Sequence, residues 1–328
     1  MINEKILDDL LLNSNSVAWK SIEEILFNTF SPSFPSTPAQ EIVKREKEIV
    51  NLEALIAGSC WDLWNSFEKE VPKTSQSLVD FWEKTLTGKA IFIIDGLSLR
   101  EMPLFLDEAQ KRGYAIHQSK ITASELPSDT TYFAKSLGFG QRSALENNLA
   151  GNNHFLQGAV TELSDLPWRD CIQLISNEPN IVFWHTWFDD RIHEYKVPGK
   201  GLRELSLKSI ENFTSNDFWD LVRKLSHGRR LIITSDHGYA STGDFTNVNG
   251  EQAEYLKTIY KSQRYSKNDK EIKIKSTPPI EIQLQNNNGL FSYALGRRKW
   301  KSSGGYPTLA HGGLSLMETM VPFIEISE

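Results

Sequence analysis

An apolar run, Leu231-Ile232-Ile233-Thr234, ends in Ser235, Asp236 and His237. Two titratable residues at the end of a strand-like run do chemistry only in company, and four further segments supply it. Asp95 closes "AIFIID", with Gly96 behind it to allow a sharp turn. In "LPSDTTYFAKSLGFG" (126–140), Pro127 and Ser128 lead into a helix pattern, placing Thr130 near its first turn. A hydroxyl there faces the positive helix end, which favours an anion or an alkoxide. In "HTWFDDRIHEY" (185–195), Asp189 and His193 stand four apart, so on a helix they share a face and can bind one metal. His185 and Asp190 compete for that role. His311 precedes Gly312 and Gly313, which let backbone approach whatever the ring holds. Each fragment also has a plain reading: Asp95 or Asp236 as a helix cap, one of Ser128, Asp129 and Thr130 as a cap, Asp189–His193 as a surface pair, His311 as part of a turn.

The elements that must position these residues follow from periodicity. "AIFIID" (90–95), "YAIHQS" (114–119), "NIVFWHT" (180–186) and "RLIITSD" (230–236) read as strands, the continuous apolar runs among them as strands covered on both faces. The stretch up to Arg112 and residues 130–145 read as helices, and 205–225 is amphipathic. Strands alternating with helices predict an α/β fold with a mainly parallel sheet flanked by helices. In such sheets ligands gather outside the carboxyl ends of the strands, where most of these polar clusters fall.

Residues 1–85 differ. Ile6, Leu10 and Leu11, then Ile22, Ile25 and Leu26, recur at helical spacing. The Pro/Ser loop "SPSFPSTPAQ" (31–40) interrupts the pattern, and Ile42, Ile49, Leu52, Leu55, Ile56, Trp61, Leu63 and Trp64 resume it. This is expected to be a helical N-terminal cap (1–85) on a main domain (86–328), because a segment of this size in short helices buries little alone. Residues 257–301 carry eleven Lys/Arg and three acids, a net +8 in a chain whose net charge is −6. This basic insertion includes "KEIKIKS" (270–276), which alternates like an edge strand or hairpin. Its Tyr260, Tyr265, Tyr293 and Trp300 could stack bases while its cations meet phosphates; a solvated lysine-rich hairpin is the plain reading.

The bulk numbers bound the function. The composition, 39% apolar and 24% charged, is globular, and the negative balance argues against a simple DNA-coating protein. Two cysteines, Cys60 and Cys171, imply no disulfide framework. The N-terminus has no signal-peptide pattern, and no apolar run approaches the ~20 residues of a membrane span. A cytoplasmic protein with no membrane contact is expected.

Taken in order, "IIDGLSLRE", "LPSDTT", "WFDDRIHE", "TSDHGY" and "AHGGLSLMETMVP" resemble the alkaline phosphatase superfamily, most closely its PglZ branch. Glu318 and Pro322 fit the "HGG…E…P" run of that branch. The resemblance spans about residue 90 to the C-terminus. It implies an alkaline-phosphatase-like core with two zinc ions, manganese being a possible substitute. Asp95, Thr130, Asp236 and His237 would surround one ion; Asp189, His193 and His311 the other. Thr130 would be the nucleophile, with the register open among Ser128, Thr130 and Thr131. Where the resemblance implies an arginine, the chain has Lys135, a point charge instead of a planar fork. Lys135, Arg297 and Arg298 are the expected substrate contacts. The implied function is a metal-dependent phosphodiesterase acting on nucleotides, oligonucleotides or nucleic acid in bacterial anti-phage defence, with defence-system partner proteins. The alternatives are a phosphomonoesterase or other phosphate-transfer enzyme of the superfamily, and a non-catalytic zinc-binding scaffold or nucleotide sensor.

Overall fold

The computed structural model describes residues 3–86, 88–195, 201–241, 246–261, 263–268, 278–301 and 308–328. The chain opens with helices α1 (Glu4–Leu11), α2 (Asn15–Phe30) and α3 (Pro38–Ser59). Asn3 and Ser14 cap the first two, and Pro38 starts the third, where a missing N–H costs nothing. A 3-10 turn (Trp61–Ser66), α4 (Phe67–Glu70) and α5 (Thr74–Lys84) complete this segment. Ile22, Leu26, Ile42, Ile49, Leu52 and Ile56 are buried in the same apolar core as Phe92, Ile94 and Phe105.

The alternating part then runs β1 (Gly88–Ile94), α6 (Met102–Lys111), β2 (Ala115–Ala123), α7 (Thr130–Ser136), β3 (Val160–Ser164), α8 (Trp168–Cys171), β4 (Asn180–His185), α9 (Trp187–Glu194), α10 (Gly201–Phe213), α11 (Asn216–Ser226) and β5 (Arg229–Thr234). The rest holds β6 (Ala240–Ser241), β7 (Thr246–Asn247), α12 (Gly250–Tyr260), β8 (Tyr265–Asn268), β9 (Glu281–Asn286), β10 (Gly289–Ala294), β11 (Arg298–Lys299), β12 (Leu309–Ala310), α13 (Leu316–Thr319) and β13 (Met320–Ser327).

The central sheet has the order β2-β13-β5-β1-β4-β3, and only β13 runs against the others. β1 is buried on both faces. Ile91 and Ile93 meet Phe133, Leu137 and Trp184, whereas Phe92 and Ile94 meet Phe183, Trp168 and Phe218. This period-two split explains the unbroken apolar run. The register Ile94↔His185 and Ile93↔Thr234 ends β1, β4 and β5 at one level, so their following loops open at one edge.

Two expectations are corrected, and the amphipathic reading of 205–225 is refined. The helix predicted over 130–145 ends at Ser136, because Gly138 turns the chain at φ +83°, and only a 3-10 turn resumes at Arg142. The amphipathic stretch 205–225 is two helices, broken where Ser215 caps α11 by accepting from Phe218 N–H at 3.2 Å. The basic insertion includes a three-stranded antiparallel sheet, β8-β10-β9, and Tyr260, Tyr293 and Trp300 are buried in packing, so none offers a face to a base. "KEIKIKS" lies outside the described residues. Cys60 and Cys171 are buried and unpaired. Among the described residues no helix is long and apolar enough to cross a membrane.

Candidate metal and phosphoryl-transfer site

Asp95 and Asp236 leave β1 and β5 side by side. Gly96, at φ +76°, turns the chain and donates its N–H to Asp236 Oδ1 at 3.1 Å. A Cβ there would come within 2.8 Å of Ile192 Cδ1, so the glycine also admits α9. Asp95, His237 and Asp236 are fully buried. His237 Nε2 lies 3.6 Å from Asp95 Oδ1 and 3.5 Å from Asp236 Oδ2.

Thr130 opens α7, but Asp129 caps that helix, accepting from Thr131 N–H at 2.9 Å. The Thr130 hydroxyl is therefore free of capping. It donates to Asp236 Oδ2 at 2.7 Å, with Asp95 Oδ1 at 3.3 Å and His237 Nε2 at 3.5 Å. Of its two neighbours, Thr131 is exposed, and Ser128 is buried with its Oγ accepting from Gly312 N–H at 3.1 Å.

The second group comes from α9 and the loop after β12. His193 Nε2 is 3.3 Å from Asp189 Oδ2 and 3.3 Å from His311 Nε2, and His311 Nε2 is 3.8 Å from Asp189 Oδ1. The competitors are occupied elsewhere. Asp190 accepts from the Thr186 hydroxyl at 3.0 Å; His185 is wedged against Trp168, and burial pulls its pKa down to about 4. His185 is a neutral packing residue.

The donor chemistry fits divalent cations. Asp95, Asp236 and His237 offer ligand atoms within 4.8 Å of one another, and so do Asp189, His237 and His311. Asp189 Oδ1 is buried without a hydrogen-bond partner. His237 Nδ1 rests on Gly238 O at 3.0 Å and His311 Nδ1 on Ser128 O at 3.1 Å, so each ring presents Nε2 as its lone-pair atom. Three carboxylates this close, so deeply buried, need positive charge nearby. Burial first, then Asp236 and Asp189, holds the Asp95 carboxyl well above its usual range. Burial opposes a charged His237, yet Asp236, Asp189 and Asp95 raise its pKa to about 9. Burial likewise opposes an ionised Asp189, but the His193 hydrogen bond and the His311 and His237 charges hold its carboxyl below the usual range.

Of the expected substrate contacts, Lys135 is exposed on α7, 5.7 Å from the Tyr132 ring centroid. Arg298 is half-buried on β11, and burial lowers its pKa. Arg297 is a correction: it is buried in ion pairs with Glu46 and Glu53 of α3 and is no surface contact. Lys270, Lys273 and Lys275 lie outside the described residues.

Sequence reasoning missed Arg142. Its guanidinium pairs with Asp95 Oδ2, which also accepts from Trp184 Nε1 at 3.0 Å. The side chain remains 33% exposed, so this cation is reachable from solvent. The signal was the glycine pair Gly138 and Gly140, which bends the chain back over the site.

A sequence profile described as "BREX system PglZ alkaline phosphatase-like domain" matches residues 110–326, more than half of the chain. That span excludes β1 and Asp95. Comparison with curated proteins found no match. Among solved structures, phosphonoacetate hydrolase from Sinorhizobium meliloti 1021, in complex with phosphonoformate, is 13% identical. It aligns over 72% of this chain and 89% of its own, with a TM-score of 0.40. Murine ectonucleotide pyrophosphatase/phosphodiesterase 5 is 12% identical over 73% of this chain and 88% of its own, TM-score 0.44. An inactive variant of that murine protein in complex with AMP gives 12%, 73%, 87% and 0.43.

Proposed function

From the premise that the chain belongs to the BREX-system PglZ alkaline phosphatase-like domain family, we propose that it is a zinc-dependent phosphodiesterase with Thr130 as nucleophile. The observation that carries this reading is the Thr130 hydroxyl, uncapped and 2.7 Å from a buried carboxylate. Asp95, Thr130, Asp236 and His237 would hold one ion, and Asp189, His193 and His311 the other, with manganese as a substitute. Bound there, the ions supply Lewis acidity that favours the alkoxide and neutralises charge on the phosphoryl and leaving oxygens.

The chain's own residues do the rest. Gly96 N–H fixes Asp236 Oδ1, which aims Oδ2 at the hydroxyl and gives its proton a place to go. Thr130 Oγ1 attacks phosphorus; the new O–P bond forms as the ester P–O bond breaks, and the leaving oxygen takes a proton from solvent and departs as the alcohol. Water then attacks the phosphothreonine, the Thr130 O–P bond breaks to release the phosphate monoester, and Thr130 Oγ1 regains a proton. Arg142 and Trp184 hold Asp95 Oδ2, leaving Oδ1 turned toward Thr130 and His237. Lys135 and Arg298 are the substrate contacts in this reading. Nucleotide, oligonucleotide or nucleic-acid diesters as substrates, a role in anti-phage defence with partner proteins, and a cytoplasmic setting are supported by the family alone. Residues 1–85 are read as a helical segment seated on the main domain.

The test is hydrolysis of a bis-aryl and a mono-aryl phosphate with added zinc or manganese, repeated with Thr130→Ala. Diester turnover that falls ~1,000-fold or more in the variant is expected. Monoester turnover alone would make the protein a phosphomonoesterase. No turnover in fully metal-loaded protein would leave a zinc-binding scaffold or nucleotide sensor.

A further inference from the structure

Two consecutive residues of the basic insertion press on two consecutive glycines of the His311 loop. A Cβ at Gly312 would come within 2.8 Å of Tyr265 Cδ1, and one at Gly313 within 2.7 Å of Arg264 Nε. The glycines thus admit the Tyr265 and Arg264 side chains against the loop. Arg264 is 5% exposed and fully engaged: Nε donates to Glu318 Oε1 at 2.6 Å, one terminal nitrogen to Arg298 O at 2.8 Å, the other to Gly296 O at 2.6 Å and Glu318 Oε2 at 3.3 Å. Glu318, fully buried, accepts in turn from Gly313 N–H at 3.1 Å and the Ser315 hydroxyl at 2.5 Å. Its backbone carbonyl accepts from Gly238 N–H at 3.0 Å, beside His237. Leu314 N–H reaches Ala294 O at 3.0 Å, tying the same loop to the end of β10.

We propose that Arg264 and Glu318 are positioning residues for His311, and that the basic insertion serves the site as a clamp on that loop. The inference rests on the reading that the site binds divalent ions. The Glu318 side chain fixes Gly313, two residues from His311, whereas only its backbone touches the His237 loop. Loosening the side-chain pair therefore acts on the Asp189–His193–His311 group and spares the group that contains Asp95 and Asp236.

The test is zinc titration against a chromophoric chelator, counting ions and affinities per chain, with melting temperature read in parallel. Wild type is expected to bind two ions. Arg264→Met and Glu318→Gln are expected to weaken one ion ~10–100-fold, the effect of removing an outer-shell partner, and to leave the other within about twofold. Arg264→Lys is expected to fall between. If Arg264→Met does not fold, Gly313→Ala displaces the guanidinium while keeping both charges, and the same selective loss is expected. Variants that bind both ions like wild type, or lose both in parallel with melting temperature, overturn the proposal. A wild-type chain that binds two ions beside unaltered variants overturns this inference alone; one that binds none overturns the phosphodiesterase reading with it.

Discussion

The rings of His237 and His311 lie face to face, their centroids 4.0 Å apart and their planes 11° from parallel. They come from loops after β5 and β12, and each anchors Nδ1 on a backbone carbonyl. Without metal, His237 holds its proton up to about pH 9. A cation taking Nε2 must expel that proton. Apparent zinc affinity is therefore expected to rise with pH up to about 9, by up to ~10-fold per unit for one proton released. Calorimetry in two buffers of different ionisation enthalpy measures the proton count, to which Asp95 also contributes because its carboxyl is held above the usual range; affinity independent of pH would remove both from the ligand set.

Arg142 makes its own prediction. It and Trp184 fix one oxygen of Asp95, so Arg142→Ala frees a buried ligand to rotate. Zinc affinity or diester turnover is expected to drop ~10–100-fold, with Arg142→Lys recovering part of it. Unchanged kinetics and metal content would show that Trp184 alone orients Asp95.

These two cases mark what the sequence makes legible. Asp95, Asp236 and the α9 pair stand at or just beyond strand ends, and apolar periodicity locates strand ends well. Arg142 sits past two glycines whose bend no helical pattern shows. Charge counting treats each cation as solvated, which is why Arg297 was misplaced. The counter-signal lay in α3, where Glu46 and Glu53 fall on the stripe that carries Ile42, Ile49 and Ile56. Acids on an apolar stripe require buried cations, and Arg100 and Arg297 supply them. β3 and β13 are hard to see in the sequence: β3 is five residues of mixed polarity, and β13 carries Pro322, which argues against a strand inside a sheet.

Breaking that buried quartet is expected to cost stability. Burial alone would raise the pKa of Glu46, but Arg100 and Arg297 hold it at about 2. Arg297→Ala strands Glu46 and Glu53 without a shared partner, and a loss of ~3–5 kcal/mol is expected in denaturant unfolding. If the variant is studied at low temperature, KM for the diester is expected to stay within twofold. A large rise in KM with unaltered stability would return Arg297 to the substrate.

Glu101 offers a pH signature. Burial raises its carboxyl to about 7, against the opposing pull of Arg100 and the Tyr239 hydroxyl, which donates at 3.0 Å. A raised carboxyl means that the folded state binds more protons than the unfolded one between about pH 4.5 and 7. Its contribution is complete below the lower value and is lost as pH rises through about 7. Glu101→Gln is expected to flatten the fall in melting temperature across that window. An unchanged slope would show that Glu101 ionises normally.

β1 is one of the two central strands of the sheet, paired on one side with β4 and on the other with β5, yet it precedes the span that the family profile covers. A fragment trimmed to residues 110–326 would be a three-stranded and a two-stranded piece facing each other across an open slot, with unpaired amide edges on both banks. Such edges invite pairing with other chains. Expression boundaries are better drawn to keep β1 and the helices ahead of it, which leaves the hydrogen-bond ladder whole and Glu46 and Glu53 of α3 on their arginines.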